Sequence, residues 1–285
     1  MNTYARRGIP FLFIIDFEAK QPVVVPLAAA AAQGIFYDFG SKANFVPQPL
    51  QKRKIVLEKS PLPFADYQRR FEIVQRHLRA GNSFLVNLTL PTPIDINLSL
   101  PEIFQRSRAR YKLLYKDQFV VFSPEIFVRI QDGRICSYPM KGTIDARLPE
   151  AAERLLNDPK EKAEHFTIID LIRNDLSSVA EQVRVAHFRY LEQLHTSDKD
   201  LLQASSKISG LLPKGYETNI GDILKKLLPA GSISGAPKAK TVDIIREAEG
   251  YERGYYTGIF GYYDRGYLES SVLIRFIEQQ GEQTY

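Results

Sequence analysis

Lys141 stands in Tyr138-Pro139-Met140-Lys141-Gly142-Thr143, a lone amine between a proline and a Gly-Thr pair, and Glu125 precedes it in Ser123-Pro124-Glu125. Together they offer a nucleophile and a proton donor. Pro139 fixes its own φ and Gly142 permits a tight turn, so the lysine backbone is held in place. Desolvation lowers an amine's pKa and frees its lone pair, so a lysine placed in a pocket can attack an electrophile. The alternative is a solvated turn lysine with no chemical role.

A second candidate is Ala230-Gly231-Ser232-Ile233-Ser234-Gly235-Ala236-Pro237-Lys238, a small-residue loop running into a helix with Pro237 near its first position and Gly250 after its end. Free backbone N–H groups there would attract phosphate or carboxylate, with serine hydroxyls as further donors. A nucleotide P-loop is excluded, because Gly231 is followed at the required spacing by Ala236-Pro237 instead of Gly-Lys. A structural helix-capping loop is the other reading.

In Ala163 to Asp175, helical spacing places Glu164, Ile168, Leu171 and Asp175 on one stripe. Acids on an apolar stripe need a partner. Magnesium suits them, since it takes one or two protein carboxylates and engages an anionic substrate; an ion-pair network of Arg173 with Asp170 or Asp175 is the alternative. His165 reads as a packing or hydrogen-bonding residue and not as a metal ligand. Arg275, in Val272-Leu273-Ile274-Arg275-Phe276, reads as a guanidinium in an apolar strand that must meet a carboxylate. That carboxylate belongs either to the protein or to a ligand shared with Tyr256.

These residues need a large scaffold, and 285 residues with 44% hydrophobic content can bury one. One large domain over 1–285, or two intimately packed halves, is expected. The single cysteine, Cys136, excludes an internal disulfide framework, and Met1 to Arg7 lack the apolar core of a signal peptide, so a cytoplasmic protein is expected. The longest apolar runs are broken by Pro10, Pro22 and Pro26 and fall short of the ~20 residues that span a bilayer. The net charge of +5 is scattered among acids and forms no basic run, which favours a small anion over nucleic acid. One cysteine and four dispersed histidines (His77, His165, His187, His195) cannot build a cysteine-rich zinc site.

Periodicity predicts a hairpin from Phe11 to Val25 and an amphipathic helix from Phe64 to Ala80, its apolar face Phe64, Tyr67, Phe71, Val74 and Leu78. A strand over Ser83 to Leu90 and a helix starting at Pro101 follow. Strands are expected at Gln118 to Phe122 and Phe127 to Ile130, turning at Asp132-Gly133 into Arg134 to Tyr138, which leaves Lys141 at a strand exit. Further helices are expected at Pro149 to Asn157, Lys160 to Arg173, Ile220 to Leu228 and Pro237 to Glu249, with strands at Tyr256 to Tyr263 and Tyr267 to Phe276. Without strict βαβ alternation, the fold class is α+β and rich in antiparallel sheet.

Ser123-Pro124-Glu125, Pro139 to Thr143, Ala163-Glu164-His165, Asp170 to Leu176, Gly231 to Lys238 and Arg253 to Gly258 together resemble the chorismate-utilising enzymes, over about Phe64 to Phe276. The resemblance implies antiparallel-rich sheets with packed helices around a central cleft. Within the family, the Pro-x-Lys-Gly-Thr lysine resembles the aminodeoxychorismate synthase branch. It implies that Lys141 attacks C2 of chorismate, Glu125 protonates the departing 4-hydroxyl, and ammonia adds at C4, on the route to 4-aminobenzoate and folate. Glu164 would help hold Mg²⁺; Thr143, Gly231, Ser232, Ser234, Tyr256 and Arg275 would bind substrate. A glutamine amidotransferase subunit is the implied partner and ammonia source, with no nucleic acid or membrane involved.

Two other readings remain, anthranilate synthase component I and a chorismate-binding homologue that has lost turnover. Leu85 stands where water-using relatives carry a lysine base, Ile126 replaces a family arginine, and Gln203 replaces a common histidine. The front end is short. The sequence stops at Tyr285, before the family's glycine-rich turn and acidic helix, so a C-terminal truncation is expected, and if nothing follows Tyr285 the resemblance implies poor Mg²⁺ binding and weak or absent activity.

Overall fold

The structure, a computed structural model, describes residues 1–50, 52–195 and 200–285. Contacts divide the chain into two compact units: Met1–Pro10, Glu125–Ser232 and Tyr262–Ser270 form the first, and Phe11–Pro124, Ile233–Gly261 and Ser271–Tyr285 the second.

The first unit is organised by the strand Asp200–Leu211, which pairs antiparallel with Glu181–His195 on one edge. Its other edge carries two shorter strands in succession, Arg134–Ser137 and Met140–Asp145. Pro139 separates them, because it has no N–H to donate to a ladder. The joint is closed by the Ser206 N–H, which donates to the Pro139 carbonyl at 2.9 Å. Lys141 therefore lies inside a paired strand, opposite Ala204, and not at the expected strand exit. The register shifts between Lys141 and Thr143, where Gly142 takes φ 80° and forms a bulge. A Cβ on Gly142 would also come within 2.9 Å of Glu161 Oε2 and Leu155 Cδ1.

The helix Pro159–Ser177 begins with Pro159 and an Asp158 cap that accepts the Glu161 N–H at 2.9 Å. It buries His165, Ile168, Ile169, Leu171, Ile172 and Leu176. The strand Ile126–Gln131 pairs with Arg134–Ser137 through the expected Asp132-Gly133 turn.

In the second unit, Phe11–Ile15 and Val23–Pro26 form the predicted hairpin, with Leu12 opposite Val25. A seven-stranded sheet runs in the order Ile35–Asp38, Tyr111–Tyr115, Phe119–Ser123, Phe276–Gln280, Gln283–Thr284, Ile94–Ile96, Leu57–Lys59. The helix Leu100–Arg106, opened by a Ser99/Glu102 capping box, adds Ile103 and Phe104 to its core. The helix Phe64–Arg79 packs Val74 against Ile244 and Ala248 of Lys238–Glu249. Only the second half of its predicted apolar face is covered, since Phe64 is 74% exposed and Tyr67 and Phe71 stack on the surface.

The predicted strand from Ser83 to Leu90 shrinks to Leu85–Val86, paired with Gly235–Ala236. Gly235, at φ 135°, allows that approach: a Cβ there would lie 1.9 Å from the Leu85 carbonyl oxygen. Among the described residues no helix is long and apolar enough to cross a membrane.

Candidate functional site

Glu125 lies between Pro124 and the strand Ile126–Gln131, and its Oε1 accepts the Ser232 hydroxyl at 2.7 Å. The residue keeps some surface, yet its carboxyl is packed by protein, and burial pushes its pKa up; the Ser232 hydrogen bond and the charge of Lys141 act in the opposite sense. An amine and a carboxyl inclined to keep its proton thus sit within electrostatic reach of each other in one unit. Ser232 belongs to the short helix Gly231–Ser234, so the expected open loop of N–H donors is instead a helical turn followed by the Gly235–Ala236 strand. Pro237 is the cap of the helix Lys238–Glu249, which ends at left-handed Gly250 as expected.

Gly231 has a packing reason to be glycine: a Cβ would lie 2.9 Å from Asp175 Oδ2 and from Leu171 Cγ. Glu125, Ser137, Pro139, Asp175, Gly231 and Ser232 are among the residues around a cavity of about 20 Å³, room for about one water.

Glu164 projects from the exposed end of the Pro159–Ser177 helix, with Lys160 Nζ 3.8 Å away. Asp170 pairs with Arg173 at 3.5 Å, the first of the two ion pairs foreseen for that arginine. Thr143 is exposed on its strand, and no group of three or more His, Cys, Asp or Glu placed to hold a metal exists among the described residues. Glu164 is accordingly a single accessible carboxylate. It suits a magnesium ion that completes its shell with water and substrate oxygens, and not an all-protein cage.

The second unit holds Ser234, Tyr256 and Arg275. Ser234 is buried, and its carbonyl accepts the Asn87 N–H at 3.0 Å. Tyr256 and Arg275 line one cavity of about 430 Å³, with Lys59, Leu90, Phe276 and Glu278 among its other walls. Burial pushes the Tyr256 phenol up, so it is a neutral donor at pH 7. Arg275 is not inside a strand as expected. It lies between Tyr267–Val272 and Phe276–Gln280 in left-handed backbone (φ 52°), exposed, with no ion-pair partner among the described residues. Its guanidinium is free for an anion.

No local pattern foretells how Tyr256 is supported. Arg253 and Glu249 are both buried, with Nη2–Oε1 at 2.5 Å and Nε–Oε2 at 2.9 Å. Arg253 also donates to the carbonyls of Asn87 (2.6 Å) and Ile233 (3.0 Å) and to Thr257 Oγ1 (3.1 Å). One guanidinium thus fastens the Tyr256 turn to two other segments, a role that Arg-Gly-Tyr-Tyr-Thr-Gly discloses only once Glu249 is known to be one helical turn away.

The chorismate binding enzyme family matches the chain from residue 26 to 285, and the chain belongs to that family of enzymes acting on chorismate. Over 286 residues it is 52% identical to a Haemophilus influenzae protein described as an "Uncharacterized PabA-like protein", covering 100% of this chain and 86% of the relative. Aminodeoxychorismate synthase component 1 of Bacillus subtilis is 30% identical over 240 residues, 78% of this chain and 50% of that protein. Among solved structures, MenF, the menaquinone-specific isochorismate synthase from Escherichia coli, superposes with a TM-score of 0.71 at 16% identity, over 99% of this chain and 72% of that one. That likeness establishes the fold.

Proposed function

We propose that this protein aminates chorismate at C4 with ammonia, giving 4-amino-4-deoxychorismate and water. The observation that carries the reading is the pairing in one unit of Lys141 with Glu125, whose carboxyl burial inclines to stay protonated. In the first step the Lys141 amine forms a bond to C2, the ring π-electrons shift, and the C4–O bond breaks as Glu125 gives its proton to the departing hydroxyl. In the second, ammonia forms a bond to C4, the π-electrons shift back, the C2–N bond to Lys141 breaks, and a proton returns to the Glu125 carboxylate. Two steps with a nucleophile and an acid replace one difficult displacement of hydroxide. Ser232 orients the Glu125 carboxyl, with Thr143 and Gly231 as substrate contacts in the same unit; Ser234, Tyr256 and Arg275 belong to the other unit, where Tyr256 and Arg275 line a cavity suited to a carboxylate.

Glu164 would hold a magnesium ion, whose charge offsets that of the ring carboxylate when bound. The ammonia source is a glutamine amidotransferase subunit, a partner that the "PabA-like" description of the Haemophilus relative favours. The test is mass spectrometry of products after incubation with chorismate, Mg²⁺ and ammonium salt. Aminodeoxychorismate from the native chain and none from Lys141→Ala is the expected result. Anthranilate, or no turnover by the native chain, overturns it.

A further inference from the structure

His165 is the one polar residue on the buried face of the helix that carries Glu164. Its ring is wholly buried; Nε2 lies 2.7 Å from Ser206 Oγ, while Nδ1 has no hydrogen-bond partner among the described residues. A buried histidine with one nitrogen unsatisfied is costly to keep for packing alone.

Its partner is the residue at which the surrounding elements meet. The Ser206 hydroxyl also accepts the Arg189 N–H at 2.9 Å, and the Ser206 N–H donates to the Pro139 carbonyl, two residues before Lys141. Arg189 is in left-handed backbone (φ 45°) within the register shift between His187 and Tyr190, and its guanidinium donates to the Leu155 and Leu156 carbonyls at 2.9 and 2.8 Å. One serine therefore joins the Glu164 helix, both long strands and the Pro139 joint.

We infer that His165 is a positioning residue for Lys141: by holding Ser206 it fixes the Pro139–Lys141 segment on the Asp200–Leu211 strand and so determines where the amine is presented. This rests on the reading of Lys141 as the nucleophile. A reacting group displaced by 1 Å can lose about 100-fold in rate, so a joint this close to the amine is a sensitive place.

The experiment compares His165→Ala, Ser206→Ala and His165→Gln in the full chain; the glutamine amide nitrogen reaches about as far as Nε2 and preserves the bond to Ser206. In chorismate amination, the two alanine variants should lose about 30-fold in kcat with KM within about two-fold, and His165→Gln should return to within about three-fold of native. A second readout needs no turnover: labelling of the folded protein with an amine-selective reagent, read by peptide mass spectrometry. Lys141 labelling, relative to exposed Lys160 and Lys214, should change about three-fold in the alanine variants and revert in His165→Gln. If the native chain proves not to aminate chorismate, labelling alone still decides the inference. Unchanged Lys141 labelling in the alanine variants, an equal change at all three lysines, or no recovery in His165→Gln overturns it.

Discussion

The Ser232 hydroxyl donates to Glu125 at 2.7 Å, and this hydrogen bond works against burial to lower the carboxyl's pKa. Burial still dominates, so Glu125 holds its proton to a higher pH than an ordinary glutamate. A general acid must be protonated to act, and amination should fall as pH rises through that elevated pKa. Ser232→Ala removes the opposing contribution and should move the falling limb of the kcat/KM profile to higher pH. A limb that moves down or stays put contradicts the assignment.

Stability should report the same carboxyl independently of catalysis. A folded-state pKa above the unfolded one means that the folded protein holds the proton more tightly. Ionisation at Glu125 then costs stability once pH exceeds the ordinary glutamate value of about 4.3. Glu125→Gln should melt higher than native at pH 8, with the difference closing near pH 4. Thermal unfolding at the two pH values checks this.

Lys141→Ala should abolish amination by about 1,000-fold or more while leaving the melting temperature nearly unchanged. The side chain is only partly buried, and the bulge beside it is set by Gly142 and the Ser206–Pro139 bond, not by the amine. Product quantification alongside a melting curve separates loss of chemistry from loss of fold.

Arg275→Ala should raise KM for chorismate about 10- to 100-fold with little effect on folding, because the guanidinium has no ion-pair partner to lose among the described residues. An unchanged KM removes Arg275 from the anion site.

Glu249→Gln should be far more damaging than its distance from Lys141 in the sequence suggests. It leaves the buried Arg253 charge short of its partner, which costs about 3–5 kcal/mol. Urea unfolding measures the loss, and a cost below about 1 kcal/mol contradicts the network described here.

Helix periodicity was the most readable signal. Phe64–Arg79, Pro159–Ser177, Ile220–Leu227 and Lys238–Glu249 all lie where apolar spacing and Pro or Gly punctuation place them. The long strands Glu181–His195 and Asp200–Leu211 did not announce themselves. The buried positions of the second include Ser205, Ser206 and Ser209, and bulges interrupt the period of two. The candidate site was legible wherever a special backbone residue marked it, as at Pro139, Gly142 and Gly231. Lys141 was misplaced at a strand exit because Pro139 resembles a terminator in the sequence, and only a partner strand long enough to run past it reveals a joint. The support supplied by Ser206 to one unit and by Arg253 to the other depends on partners distant in sequence, and no local pattern specifies them.

The pairing of Phe276 with Val121 also fixes a timetable. Phe119–Ser123 leaves the ribosome long before its neighbour Phe276–Gln280 exists, so that sheet's central ladder cannot close until synthesis has passed Gln280. Until then the apolar edge of Phe119, Val120 and Val121 is an open template for other chains. Folding dominated by such distant pairings is slow. At high rates of synthesis that waiting edge is where the nascent chain is most exposed to association with its neighbours.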